Sequence, residues 1–148
     1  MKLRIKGNSI RLRLGQSEVR RLLDQGIVEE STIFDLSGQR RLDYVLCTGP
    51  NLLAVTASFE NGRIVVRMPS ALMRQWAETE QVGVESIQVG SDGGALKILI
   101  EKDFECVDAT DEPQEDAFPH PQVPGACLSA DAIERSTHEQ NYSERFPA

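Results

Sequence analysis

Basic residues alternate with aliphatic residues near the start of the chain, in the stretch KLRIKGNSIRLRL at positions 2–14. Alternate residues of a β-strand point to the same face of its sheet, so the period of two gathers these charges on one face. Lysine and arginine side chains gathered in this way can bind an anion, and arginine makes bidentate hydrogen bonds to phosphate oxygens. The pattern therefore predicts an anion-binding surface on two strands joined by a turn at Gly7-Asn8.

The same alternation continues in the later segments RIVVRM and ALKILIE. The predicted anion-binding residues are Lys2, Arg4, Lys6, Arg11, Arg13, Arg63, Arg67 and Lys97. Fewer acidic residues are expected on the same face, namely Asp43, Glu60 and Glu101. The alternative is a solvated sheet face on which acidic residues of neighbouring strands neutralise part of the positive charge.

Two helices separate the strands. QSEVRRLLDQG has apolar residues at helical spacing and ends in Gly26, a natural C-cap, and PSALMRQWAET opens with Pro69. Each helix lies between two pairs of strands, and Asn61-Gly62 is a strong hairpin signal inside one of those pairs. The order hairpin, helix, hairpin therefore occurs twice along the chain.

The second half of the sequence aligns with the first without a gap, with Ile10 on Ile64 and Val28 on Val82. We predict two ββαββ units, at residues 1–50 and 51–104, related by a pseudo-twofold axis. The expected fold is α+β: an eight-stranded antiparallel sheet or open barrel with both helices on its apolar face. The basic residues would then occupy the opposite face.

The length and composition of the chain limit the classes of protein to which it can belong. A chain of 148 residues forms one domain with a substantial core, and it contains no apolar run of the roughly 18 residues that a membrane span needs. The basic start lacks the apolar segment of a signal peptide, and three widely spaced cysteines indicate a reducing cytoplasm. An acidic net charge of -7 and a basic face without interleaved aromatic residues disfavour nucleic acid as a partner.

The charge is distributed unevenly. Lysine and arginine exceed aspartate and glutamate by 2 in residues 1–100, and acidic residues exceed basic ones by 9 in residues 101–148. Residues 105–148 are also rich in proline and show no periodicity, which predicts a flexible acidic tail after a folded domain at 1–104. Such an acidic segment is one candidate partner for the basic face, and a small molecule that contains phosphate is another.

Three segments resemble a small bacterial protein family of unknown function. They are KLRIKGNSIRLRL with the following QSEV, EKDF-x-C from Glu101 to Cys106, and DAFP-x-P from Asp116 to Pro121. The resemblance covers residues 1–121. It implies relatives, and it implies no particular activity.

The predicted architecture is also similar to that of triphosphate tunnel (CYTH-like) phosphohydrolases, which have eight antiparallel strands, a duplicated plan and a basic tunnel. Those enzymes carry Glu-x-Glu-x-Lys on the first strand, where this chain reads KLRIK without a carboxylate. Glu101, Asp103 and Glu105 do alternate on the last predicted strand, and they are candidate oxygen ligands for Mg²⁺ or Mn²⁺. No catalytic residue is assigned.

Three functions remain open from the sequence. The first is a cytoplasmic protein whose basic sheet face binds an anionic ligand or an acidic segment. The second is a metal-dependent phosphohydrolase of the tunnel type. The third is a structural or interaction module whose charged face is merely solvated.

Overall fold

The order hairpin, helix, hairpin occurs twice in the computed structural model, which describes residues 1–105 and 116–119. The elements are β1 (Lys2–Ile5), β2 (Ser9–Leu14), α1 (Gln16–Gln25), β3 (Ile27–Ile33), β4 (Arg41–Gly49), β5 (Thr56–Glu60), β6 (Arg63–Pro69), α2 (Ser70–Glu78), β7 (Gly83–Val89) and β8 (Ala95–Lys102). The predicted C-cap of α1 is confirmed, because Gly26 has a φ of 73° and its N–H donates to the Leu22 carbonyl.

The strands form two four-stranded sheets: sheet 1 in the order β1-β2-β8-β7 and sheet 2 in the order β3-β4-β6-β5. In each sheet a central parallel pair, β2 with β8 or β4 with β6, joins two antiparallel hairpins. The α+β class, the eight strands and the two helices are confirmed. We expected a single antiparallel sheet, but the strands form two mixed sheets, because each hairpin pairs with one hairpin from the other half of the chain. The described strands form no closed barrel.

The two halves of the chain use equivalent strand registers at their parallel pairs. In sheet 1, Ile10 of β2 pairs with Ile98 of β8. In sheet 2, Ile64 of β6 pairs with Tyr44 of β4. The alignment that places Ile10 on Ile64 also places Tyr44 on Ile98. The same alignment therefore relates both members of the central pair.

The gap-free alignment is wrong for β3 and β7. Val28 pairs with Leu46, and the equivalent pair in sheet 1 is Val84 with Ile100. Val28 therefore matches Val84 instead of Val82 in the structure. The physical reason is a longer connection from α2 to β7 than from α1 to β3.

The apolar faces of the two sheets face each other and form the core. Apart from Val45, which lies on the opposite face of sheet 2, the largest fully buried side chains belong to this core: Trp76, Leu12, Leu14, Leu22, Leu46, Met68, Ile98, Ile100, Val28 and Val66. Each helix directly follows a central strand, so both helices pack at the end of the core where β2 and β6 end. The buried helical residues are equivalent in the repeat, Val19 to Met73 and Leu22 to Trp76.

A side chain bridges the edge strands β7 of sheet 1 and β5 of sheet 2. Gln88 accepts the Ala57 N–H at 2.7 Å through Oε1 and donates to the Ala57 carbonyl at 3.0 Å through Nε2. Ser86 Oγ also donates to the Val55 carbonyl at 3.2 Å. The Gln88 amide thus satisfies both backbone groups of Ala57, as a residue of a neighbouring strand would.

Lys102 is a nearly buried cation at the end of β8, with 7% of its surface exposed. Its ammonium donates to the Thr79 carbonyl and lies 5.9 Å from the centroid of the Trp76 ring. Burial lowers the pKa of Lys102, and the charge of Glu80 opposes that shift. The folded protein therefore holds this proton less tightly than the unfolded chain does.

The depressed pKa of Lys102 predicts a pH dependence of stability. Below the folded pKa the buried charge costs stability, and that cost disappears as the pH rises through the folded pKa towards the ordinary value of 10.5. In this alkaline window the free energy of unfolding should rise with pH relative to that of Lys102→Met. Urea unfolding at a series of pH values measures the difference. Lys97→Met, at an exposed lysine of the same strand, is the control, and parallel profiles for Lys102→Met and the unmodified protein would contradict the prediction.

The chain divides into two units, Met1–Asp103 and Phe104–Ala148. Within the second unit, Phe104 and Phe118 form an isolated parallel bridge with ring centroids 5.9 Å apart. Apart from Glu105 and residues 116–119, the predicted acidic tail lies outside the described residues. No helix among the described residues combines the length and the apolar character needed to cross a bilayer.

Candidate functional site

Five of the eight predicted anion-binding residues lie together on the outer face of sheet 1, opposite its apolar face. This surface, the basic face of sheet 1, consists of Lys2, Arg4, Arg11, Arg13 and Lys97. Lys6 is exposed in the turn after β1. Arg63 and Arg67 lie on the outer face of sheet 2. The structure thus gathers five of the predicted residues and places two on the other sheet.

One carboxylate serves both central arginines of the basic face. Arg13 Nε donates to Glu101 Oε1 at 2.7 Å, and Arg11 Nη1 lies 3.7 Å from the same oxygen. The Glu101 side chain is 17% exposed, whereas the two arginine side chains are 36% and 38% exposed. Both guanidinium groups therefore remain accessible from solvent, with donors that Glu101 does not use.

Positive charges lie directly opposite each other across β1 and β2. The register pairs Lys2 with Arg13 and Arg4 with Arg11. Lys2 also bonds to Asp103 at 3.0 Å, but Arg4 has no ion-pair partner among residues 1–105 and 116–119. Like charges directly opposite each other destabilise an antiparallel pair. Asp103 and Glu101 offset the repulsion between Lys2 and Arg13, whereas the pair of Arg4 with Arg11 has no carboxylate beside Arg4 in the described part of the chain.

The basic face of sheet 1 carries more positive than negative charges. Its five cations face three carboxylates on the same side of sheet 1, which are Glu85, Glu101 and Asp103. Lys97 pairs with Glu85 at 2.9 Å, where both side chains are more than half exposed. Such an exposed pair contributes roughly 0–1 kcal/mol. Two positive charges remain without a matching carboxylate among the described residues of this face.

The outer face of sheet 2 holds a polar cavity of about 270 Å³. Arg63 and Arg67 line it together with Asp43, Ser58, Glu60, Asn61 and Val65. Arg63 is paired with Glu29 at 3.0 Å, and Arg67 donates to Ser58 Oγ at 2.9 Å. The sequence predicted both arginines as anion ligands and placed Asp43 and Glu60 on their face, and the structure sets these two carboxylates in the same cavity.

Cys47 is a half-buried free thiol that pairs in register with Arg67 on sheet 2. Burial raises the pKa of the Cys47 thiol, and the charges of Arg67 and Arg63 act in the opposite direction. A raised pKa keeps the thiol protonated near neutral pH, so Cys47 is a poor nucleophile in this environment.

A protein-family model described as a family of unknown function (DUF7009) matches residues 1–122. The chain belongs to this family. The DUF7009 match spans both sheets and both helices, and it confirms the resemblance to a family of unknown function. No curated protein and no solved structure matches the chain. The resemblance to CYTH-like phosphohydrolases stays a prediction.

Two of the three carboxylates predicted to hold Mg²⁺ or Mn²⁺ form ion pairs with basic residues in this DUF7009 member. Glu101 bonds to Arg13, Asp103 bonds to Lys2, and Glu105 belongs to the second unit. Among the described residues, no three or more histidine, cysteine, aspartate or glutamate side chains form a group suited to a metal ion. The metal site stays a prediction, because the residues that the structure describes provide no geometry for it.

An apolar cavity of about 410 Å³ between the two sheets was not predicted from the sequence of this DUF7009 chain. Three pairs of equivalent residues in the repeat contribute to its lining: Ile5 with Phe59, Ile10 with Ile64, and Leu42 with Leu96. The cavity therefore lies where the two halves of the repeat meet, at the opposite end of the central strands from the helices. The sequence offered one indication of this cavity, an aromatic residue, Phe59, at the end of a hairpin strand. In the structure the Phe59 side chain is 65% exposed.

Proposed function

We propose that the basic face of sheet 1 binds an anion that carries phosphate groups. The observation that supports this function is the register of β1 and β2, which sets Lys2 opposite Arg13 and Arg4 opposite Arg11. The pair of Arg4 with Arg11 reduces the stability of the free protein most, because Lys2 and Arg13 each have a carboxylate partner and Arg4 has none among the described residues. An anion lying across the two strands would offset that repulsion in the bound state. It would supply negative charge that the carboxylates of the basic face do not provide.

The arginines of the basic face are suited to phosphate in particular. Each guanidinium presents five N–H donors in a planar fork that matches two oxygens of a phosphate group. Arg11 and Arg13 share one oxygen of Glu101, and Arg4 has no ion-pair partner among the described residues. Arg4 and Arg11 are neighbours across the ladder, so one phosphate can accept hydrogen bonds from both.

An acidic segment offers carboxylates to the same donors, and it belongs to the same class of ligand. A merely solvated face differs from both, because it has no preferred position for an anion. On such a face only the net charge of the protein would set the affinity, and any two exposed arginines would contribute equally. This difference separates the proposal from the solvated-face alternative.

The test is isothermal titration calorimetry of the full chain with tripolyphosphate. We expect binding at a salt concentration of about 0.01 M, where the Debye length is about 30 Å, and weaker binding near 0.15 M, where it is about 8 Å. The double variant Arg4→Gln/Arg11→Gln should weaken the affinity about tenfold or more, because it removes two charge-assisted hydrogen-bond donors. An acidic peptide should compete with tripolyphosphate for the unmodified protein.

The matched control is Arg20→Gln/Arg74→Gln, which removes two exposed arginines from α1 and α2 and changes the net charge by the same amount. Its affinity for tripolyphosphate should stay close to that of the unmodified protein. Equal losses in the two double variants would show that net charge alone sets the affinity, and the proposed site would then be abandoned. Absence of binding at low salt, measured by calorimetry at two temperatures so that a zero enthalpy is recognised, would also refute it.

A further inference from the structure

The polar cavity on the outer face of sheet 2 lies on a different surface from the basic face of sheet 1. Its lining differs in charge as well, because it presents two guanidinium groups and two carboxylates around Ser58 and Val65. A ligand that enters it therefore meets both signs of charge within about 270 Å³. The question is which of these charges are still available to a ligand.

Two of the four charged groups are already paired within the protein. Arg63 Nη2 lies 3.0 Å from Glu29 Oε2. Asp43 is 7% exposed, accepts a hydrogen bond from Ser31 Oγ at 2.5 Å and pairs with Arg41 at 3.2 Å. These contacts use Asp43 and Arg63 as structural groups of sheet 2.

The other two charged groups of the cavity have no ion-pair partner in the described part of the chain. Arg67 donates through Nη1 to the neutral hydroxyl of Ser58 at 2.9 Å. The Glu60 carboxylate is exposed at the end of β5. One cation and one anion are therefore available in the same cavity.

The spacing of these two groups limits the size of a ligand that reaches both. The hydrogen bond to Ser58 places one end of the Arg67 guanidinium beside that residue. Ser58 and Glu60 are two residues apart on the same face of β5, a distance of about 7 Å between their Cα atoms. The register sets Arg67 opposite Thr56 and Glu60 opposite Arg63, so the Arg67 side chain approaches Glu60 by reaching along β5 to Ser58, with Val65 as an apolar surface of the same cavity.

We propose that this cavity binds a small zwitterion of the α-amino-acid class. The ligand carboxylate accepts hydrogen bonds from Arg67, and the ligand ammonium donates to Glu60. A simple anion of this size would be attracted to Arg67 but repelled by Glu60. A simple cation would be attracted to Glu60 but repelled by Arg67. A ligand that carries an ammonium and a carboxylate on the same carbon satisfies both groups.

The test is a comparison of three ligands by ¹H–¹⁵N correlation spectra of the unmodified full chain at constant ionic strength. The probes are L-alanine, propionate, which lacks the ammonium group, and ethylamine, which lacks the carboxylate. L-Alanine should shift the backbone amide signals of Ser58, Glu60 and Val65. Propionate and ethylamine should each bind about tenfold more weakly, because each loses one charge-assisted interaction.

Single variants test the two assigned groups. Glu60→Gln and Arg67→Gln should each weaken L-alanine binding about tenfold. Glu78→Gln and Arg74→Gln make the same changes of charge at exposed positions of α2 and should leave the affinity unchanged. The comparison of ligands uses the unmodified protein, so it decides the proposal even where a variant fails to fold.

Several results would overturn the proposal. Propionate binding as tightly as L-alanine would make this an anion site, and equal binding of ethylamine would make it a cation site. Unchanged signals of β5 and β6 with L-alanine, or equal losses in Glu60→Gln and Glu78→Gln, would remove the site. Failure of tripolyphosphate to bind sheet 1 leaves these results unaffected, because the two tests use different ligands and different residues.

Discussion

Replacing Trp76 by alanine is expected to lower the free energy of unfolding by about 3–5 kcal/mol, which is the usual cost of truncating a buried aromatic side chain. Trp76 is fully buried on α2, and its indole N–H donates to the Val82 carbonyl at 3.3 Å. The substitution would leave a cavity where α2 packs against the core and would remove the apolar ring beside the ammonium of Lys102. Urea unfolding followed by far-UV circular dichroism measures the loss.

Trp76→Phe is the matched control for this prediction. It keeps most of the buried aromatic volume and removes the indole N–H, so it should cost less than Trp76→Ala. Ala77→Gly at the neighbouring helical position is expected to cost about 1 kcal/mol through helix propensity alone. If Trp76→Ala lowers the free energy of unfolding by no more than the loss caused by Ala77→Gly, the Trp76 side chain does not stabilise the core as its burial indicates.

Replacing Gln88 by alanine is expected to lower the free energy of unfolding by roughly 1–3 kcal/mol, because it removes two hydrogen bonds between half-buried groups. The Gln88 side chain makes hydrogen bonds of 2.7 Å and 3.0 Å with the backbone N–H and carbonyl of Ala57. Its loss should also speed hydrogen exchange of the Ala57 amide, which is a local readout of the junction between sheet 1 and sheet 2.

The control for the Gln88 prediction is Gln75→Ala, at an exposed position of α2. This change removes the same side chain from a helix surface and should leave both the stability and the exchange of Ala57 nearly unchanged. Unaltered exchange of Ala57 in Gln88→Ala would contradict the role of Gln88 as a substitute for a neighbouring strand.

Local sequence patterns predicted the elements well, because each depends on residues close together in the chain. Alternation predicted the strands, and Gly26 marked the end of α1 correctly. Asn61-Gly62 predicted the turn between β5 and β6, where both residues have the positive φ that such a turn requires. These signals are contained within a few residues, so a single sequence suffices to find them.

The neighbours of each hairpin could not be predicted in the same way. A period of two shows which residues share a face, but it does not show which strand lies next to β2. The pairing of Ser9 with Lys97 joins the first hairpin to the last, and no local pattern encodes it. The resulting division into two mixed sheets explains why Arg63 and Arg67 lie apart from the basic residues of β1 and β2.

The candidate site was predicted in its composition and missed in its detail. Alternation placed Arg4, Arg11 and Arg13 on one face, and it also placed Glu101 near them. That both Arg11 and Arg13 would share one oxygen of Glu101 depends on side-chain geometry across the parallel pair, which the sequence does not contain. The polar cavity of sheet 2 was missed for the same reason, because it depends on the side-chain positions of separate strands.

The parallel pairing of β2 with β8 also constrains the route by which the chain folds. Strand β2 leaves the ribosome well before its central neighbour, which is complete only at Lys102. Until β8 is synthesised, β2 presents an unpaired edge that can associate with another nascent chain. Pairings between distant residues carry a large entropic cost before they are stabilised, so such topologies fold slowly, in about milliseconds to seconds. Sheet 1 is thus completed by the last strand of its unit to be made, and shortening the chain before β8 would remove the centre of that sheet.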